Sequence, residues 1–205
     1  MALGMSAWLA GAFDMAGSIG IGFRHIKTGR VNVTGRFSYE PQMTLVTTYN
    51  EAFRFQVDKI LTMLDIPHNI HVSEQKGNIN PESYLVIHGW RSCAKLVREL
   101  LPYAVVKKGH FIAYLGFFDK WILQADHLKI LRRDVDEQTR MFRRVVDWQG
   151  VEELIHMVET MRSLSTKRGK YNLKWTPEKI REAFRKVDGE MFLNPFAVAN
   201  PRKKA

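Results

Sequence analysis

Leu9-Ala10-Gly11-Ala12-Phe13-Asp14-Met15-Ala16-Gly17 stands where this 205-residue chain changes its periodicity. Residues 5–16 are apolar and small and contain no proline, which predicts a helix. After Gly17 the pattern shifts to period two. Ile19, Ile21, Phe23 and His25 alternate with Gly20, Gly22, Arg24 and Ile26, as in a strand. Thr28-Gly29-Arg30 reads as a hairpin turn. The returning strand alternates too, with Val31, Val33 and Phe37 on one face and Asn32, Thr34, Arg36 and Ser38 on the other. Pro41 interrupts it and suggests an edge strand or a bulge, because proline has no N–H for a ladder. Beyond it Met43 and Leu45 are expected to point inward, and Gln42 and Thr44 outward.

Further along, Asn50 is a good N-cap for a helix carrying Phe53, Val57, Ile60, Leu61 and Leu64 on one stripe, stopped by Pro67. Residues 69–75 and 83–88 form two more short strands around a turn-rich loop. A helix over 91–101 ends at Pro102, and a longer one is expected over 110–131. Residues 132–144 are charged, and helices follow near 150–163 and after Thr176-Pro177. The order is helix, strand, strand, helix, strand, strand, helix. This is α+β with an antiparallel sheet, one face under helices and the other polar and basic.

The single cysteine, Cys93, excludes a disulfide scaffold. No apolar run approaches the ~20 residues that span a bilayer, and Met1–Ala10 lack a basic leader, so an intracellular protein with no membrane partner is expected. The net charge is +10, which makes a polyanion the first partner to consider. The excess is local. Residues 19–48 carry +3 and residues 162–205 carry +8, whereas 49–161 balance to zero.

Residues 9–17 resemble the LAGLIDADG motif of homing endonucleases, with Leu9, Ala10, Gly11, Asp14 and Gly17 matching. Leu100-Leu101-Pro102-Tyr103 followed by Lys107-Lys108 resembles that family's Leu-x-Pro-Phe stretch, which leads to an active-site lysine. The resemblance covers residues 5–131, so a core of 1–131 and a helical basic C-terminal extension of 132–205 are expected. It implies an αββαββα fold with a saddle-shaped antiparallel sheet that lies in the major groove of double-stranded DNA. Only one copy of the motif is present, and single-motif members are homodimers. Their motif helices pack against each other, which would place Leu9, Ala10, Gly11 and Phe13 at the interface. The family is intron- or intein-associated and hydrolyses both DNA strands at a long pseudopalindrome with Mg²⁺ or another divalent cation.

The family's metal-binding acid is the eighth motif residue, and here that residue is Ala16. Three accounts fit: an acid replaced so that cleavage is blocked, a natural non-cleaving DNA binder, or Asp14 acting as the ligand. The last requires a side chain turned by about 200° around the helix. Met15 can offer its backbone carbonyl, as the seventh residue does in the family. Lys107 is the second catalytic candidate, and Lys108 is a phosphate contact. Thr48 or Tyr49 falls where the family places a water-holding polar residue. Arg24, Arg36, Gln42, Thr44, His71, Ser73, Gln75 and Ser83 are expected on the outward sheet face, where Arg and Gln suit guanine and adenine. Lys27, Arg30 and Lys76 are placed in turns that meet phosphates, and Lys167, Arg168, Lys170 and Lys174 flank the core site. The alternative reading is a non-catalytic relative, either an RNA-splicing maturase, for which RNA would be a partner, or a DNA-binding regulator.

Overall fold

A computed structural model describes residues 2–26, 36–48, 50–73, 82–123, 130–136, 138, 141–165 and 175–192. Helix α1 (Ala2–Ala16) runs without a loop into β1 (Gly17–Ile26). There follow β2 (Arg36–Thr48), α2 (Glu51–Met63), β3 (Asn69–Ser73), β4 (Glu82–His88), α3 (Trp90–Leu100) and α4 (Lys108–Phe118). This is the expected αββαββα order, with one further helix. The four strands form one sheet in the order β1-β2-β4-β3, with β2/β4 and β4/β3 antiparallel.

Register fixes the two faces of this sheet. Met43 pairs with Ile87, Leu45 with Leu85 and Thr47 with Ser83, and all six side chains are buried. Gln42, Thr44 and Val46 lie on the opposite face, as the alternation predicted. Pro41 does not make β2 an edge strand; β2 is central. The last register pair on the β4 side is Gln42 with His88, and the Pro41 carbonyl accepts from Gly89 N–H at 3.2 Å. In extended backbone a residue's N–H and C=O point the same way, so the missing donor faces a place where the ladder has already ended.

Asn50 caps α2 by accepting from Phe53 N–H at 3.1 Å. Gly89, at φ 87°, makes the left-handed link from β4 to α3. Helix α1 packs against α2 and α3, and α3 against α4. The Tyr114 hydroxyl of α4 closes on the Trp90 carbonyl of α3 at 2.7 Å.

The helix expected over 110–131 is shorter. Helix α4 ends at Phe118, a single π turn follows (Asp119–Leu123), and the chain then enters strands. The charged stretch forms a hairpin, β5 (Leu131–Val135) and β6 (Phe142–Val146). Next come α5 (Trp148–Ser163), α6 (Pro177–Val187) and the short β7 (Met191–Phe192), which pairs with β6. The C-terminal region is therefore helical with a three-stranded sheet, β5-β6-β7. The sequence hid this hairpin because its strands are only five residues each and cluster their charges, Arg132-Arg133-Asp134 and Arg143-Arg144, rather than alternating them with apolar residues. Thr176 caps α6 with Pro177 in its first turn, as read from the sequence.

The chain forms two compact units that interleave in sequence. The first comprises 1–22, 39–119 and 157–166; the second comprises 23–38, 120–156 and 167–205. In the second, Gly150 lies so close to Trp121 and Ile130 that a Cβ would meet them at 2.8–2.9 Å. No helix among the described residues is long and apolar enough to cross a membrane.

Candidate nucleic-acid interface

The site is organised by Asp14. Its Oδ2 accepts from Val105 N–H at 2.7 Å and its Oδ1 from Lys107 N–H at 2.8 Å. The carboxylate thus fastens the α3–α4 loop to the last turn of α1. Lys107, the N-cap residue of α4, is thereby held at the end of α1, and its carbonyl starts α4 by accepting from Phe111 N–H. Asp14 is thus a clamp that accepts one backbone hydrogen bond at each carboxylate oxygen. The partners lie 91 and 93 residues away, and no local pattern records them.

Gly17 explains the end of the motif. A Cβ here would sit 2.7 Å from the Phe13 carbonyl oxygen and 2.8 Å from its Cα. Only glycine lets the chain turn from α1 straight into β1 against its own last helical turn. Gly11 is the reverse case, exposed with nothing within 4 Å of a Cβ.

Of the four residues expected at a helix–helix interface, only Gly11 is on the surface. Leu9, Ala10 and Phe13 are buried in the chain's own core. The exposed stripe instead runs Gly4, Trp8, Gly11 and Met15, at spacings of four, three and four. Trp8 is 41% exposed, with its ring 5.4 Å from that of Phe53 on α2. Met15 is 91% exposed and Val105, on the loop held by Asp14, is 81% exposed. Sequence reading did not place Trp8 and Met15 on this surface, because apolar residues in a uniformly apolar helix do not announce which side meets the core.

On the outward sheet face, Gln42 lies opposite His88, Thr44 opposite Val86 and His71 opposite Tyr84. The Thr44 hydroxyl is hydrogen-bonded to that of Ser18 at 2.5 Å, joining the start of β1 to this face. Ser83 is not on it. It is 8% exposed, points inward beside Leu85 and pairs with the Thr47 hydroxyl. The loop before β4 misled the parity count, and two buried hydroxyls that satisfy each other replace an apolar pair. Arg24 and Arg36 lie in β1 and β2, and Thr48 and Ser73 end β2 and β3. Tyr49, Lys27, Arg30, Gln75, Lys76, Lys167, Arg168, Lys170 and Lys174 lie outside the described residues. Lys108 is exposed in the first turn of α4.

His110, one turn into α4, is buried at 4% exposure. Its Nε2 lies 3.3 Å from the Ser165 hydroxyl, which also donates to the Met161 carbonyl at 3.0 Å. Its Nδ1 is buried without a partner. Desolvation, reinforced by the Lys107 charge, holds this histidine below its ordinary pKa.

No family model and no curated relative matches the sequence. Solved structures do match. The homing endonuclease I-CvuI, in complex with its target in the presence of Ca, is 16% identical over 91% of this chain and 96% of its own, with a TM-score of 0.59. The archaeal intron-encoded homing endonuclease I-Vdi141I, complexed with DNA, is 18% identical over 86% of this chain and 94% of its own, at 0.54. The chain has the LAGLIDADG homing-endonuclease fold. A second structure of I-CvuI, on the I-CreI target with Mg and with DNA not cleaved, gives 18% identity and a TM-score of 0.55.

The residues at the end of α1 do not fit the divalent metal that this fold implies. Ala16 is exposed there and offers a methyl group, and Asp14 is occupied by two amides. Among the described residues no group of three or more His, Cys, Asp or Glu is placed to hold a metal ion.

Proposed function

We propose that this chain is a site-specific double-stranded DNA-binding protein on the homing-endonuclease scaffold, acting as a homodimer, with its cleavage step disabled at Ala16. The observation that supports this is the α1–β1 junction. A carboxylate clamp sets Lys107 beside the end of α1, where the family places its hydrolytic centre, and the residue at the acid's position is an exposed alanine.

The division of labour follows from the geometry. Gln42 and His71 stand on the open sheet face as hydrogen-bonding groups for base edges in the major groove, with Arg24 and Arg36 on β1 and β2 as further candidates. Lys107 and Lys108 supply positive charge to phosphates near the centre of the target. The exposed stripe Gly4, Trp8, Gly11 and Met15 is the surface for the second copy, since two small residues permit close approach and Trp8 and Met15 supply apolar area. A symmetric dimer reads a nearly palindromic site.

The experiment is to select a bound duplex from a randomised library and then assay cleavage with Mg²⁺ for the wild type, Ala16→Asp and Ala16→Glu. The wild type should bind without cutting, and one of the acids should cut both strands. Retained binding with no gain of cutting in either variant would show that Ala16 is not where the acid is missing.

A further inference from the structure

Helix α4 has a weak start of its own. Its N-cap residue, Lys107, makes no side-chain capping bond, and its first turn is Lys108-Gly109-His110. Two cations meet the positive end of the helix dipole there, and glycine is a poor helix former. The turn therefore depends on tertiary support. One support is the Asp14 carboxylate, which accepts from Lys107 N–H.

A second support comes from the end of α5. Residues 157–166 belong to the same compact unit as α1 to α4, although His110 and Ser165 are 55 residues apart in sequence. Leu164 rests on Gly109: a Cβ added to Gly109 would lie 3.0 Å from Leu164 Cδ1 and 3.4 Å from Cδ2. The bare glycine leaves room for that side chain. One residue on, His110 Nε2 reaches the Ser165 hydroxyl, which the Met161 carbonyl fixes in turn. The His110 ring is buried, and its Nδ1 meets no partner among the described residues. Desolvation and the Lys107 charge both oppose a charged ring, while the Met161 carbonyl acts in the other sense.

We infer that the end of α5, through Leu164 on Gly109 and Ser165 on His110, is a second anchor that positions Lys107, with Asp14 as the first. Leu164, Ser165 and His110 act through Lys107 and need not touch DNA themselves. The inference rests on the reading of Lys107 as a phosphate contact and extends it to what holds that lysine. Protonating His110 would bury a second positive charge near Lys107, so acid should loosen the anchor. This sign is opposite to that of an exposed histidine, which gains charge in acid and binds a polyanion more tightly.

The test uses the full chain. Leu164→Ala combined with Ser165→Ala removes the anchor, and Ser165→Thr keeps the hydroxyl. Ser163→Ala is the control, since that hydroxyl bonds the Thr160 carbonyl of its own helix. Each variant is checked by its melting temperature. In the free protein, the Lys107 and Phe111 amides should exchange hydrogen about 2-fold faster or more in the double variant, and at the wild-type rate in Ser165→Thr and Ser163→Ala. On the selected duplex, the loss caused by Lys107→Gln should be smaller in the double variant than in the wild type, by about 2-fold or more. In the wild type this Lys107-dependent part of the affinity should shrink as the pH falls below 6.5 through the lowered value of His110. It should stay level in His110→Gln, over the range where both proteins remain folded. Unchanged exchange at both amides, additive losses from Lys107→Gln and the double variant, an equal effect of Ser163→Ala, or the same pH response in His110→Gln would overturn the inference. If Lys107→Gln costs the wild type nothing on duplex, the phosphate role of Lys107 fails instead, and amide exchange alone decides the anchor.

Discussion

Two glycines of one nine-residue motif should respond to the same substitution with opposite signs. At Gly17 a Cβ would lie 2.4 Å from Phe13 Cδ1, 2.7 Å from Phe13 O and 2.8 Å from Phe13 Cα. Two of these atoms are backbone, and the Phe13 ring is buried at 1% exposure, so nothing can swing aside. The last turn of α1 must shift, at an overpacking cost of about 1–3 kcal/mol. Only about 0.4–1 kcal/mol is recovered from the stiffer unfolded chain. Gly17→Ala should therefore lower the urea midpoint at every protein concentration. It should also weaken DNA binding, because Asp14 and the loop it holds ride on that turn. At Gly11 the Cβ meets nothing within 4 Å. Gly11→Ala should raise the stability of the separated chain by about 0.5–1 kcal/mol, the ordinary gain of alanine over glycine inside a helix. In the dimer the same methyl would intrude between two closely packed helices, and dissociation should rise tenfold or more, equivalent to about 1.4 kcal/mol. Urea titrations at several concentrations separate these effects, since linkage makes a dimer's midpoint concentration-dependent; sedimentation measures the dimer directly. A Gly17→Ala protein as stable as the wild type would refute the close approach. A Gly11→Ala protein that dimerises as well as the wild type would remove Gly11 from the interface.

Asp14→Ala removes two charge-assisted bonds and frees the loop bearing Lys107, so it should cost about 2–4 kcal/mol in urea unfolding and weaken binding to the selected duplex. Unchanged affinity would show that the clamp does not serve the interface. Gln42→Ala should lose about 1–3 kcal/mol of discrimination at one base pair of each half-site while leaving affinity for unrelated duplex unaltered, as read by binding to a set of single-substituted targets. A uniform loss on all sequences would make Gln42 a backbone contact instead. His110 is held below its ordinary value of 6.5, so its neutral form favours the folded state. That stability is fully present above 6.5 and is lost as the pH falls through the lowered folded value. His110→Gln should flatten this part of the stability–pH curve, and an unaltered curve would place the titration elsewhere.

Sequence alone determined the αββαββα order, the α1–β1 junction at Gly17, the parity of β2 and the caps at Asn50 and Thr176. These are local: a period, a capping hydroxyl or amide, or the loss of a Cβ is written within a few residues. Motif resemblance also singled out Lys107 and Ala16 as the positions to test. Tertiary structure decided the rest. Asp14 could be assigned as a clamp only once Val105 and Lys107 were beside it. Helix α1 is apolar on every side, so periodicity could not show that Leu9, Ala10 and Phe13 face the core while Trp8, Gly11 and Met15 remain open. Ser83 reads as a solvated strand residue until Thr47 is found opposite it.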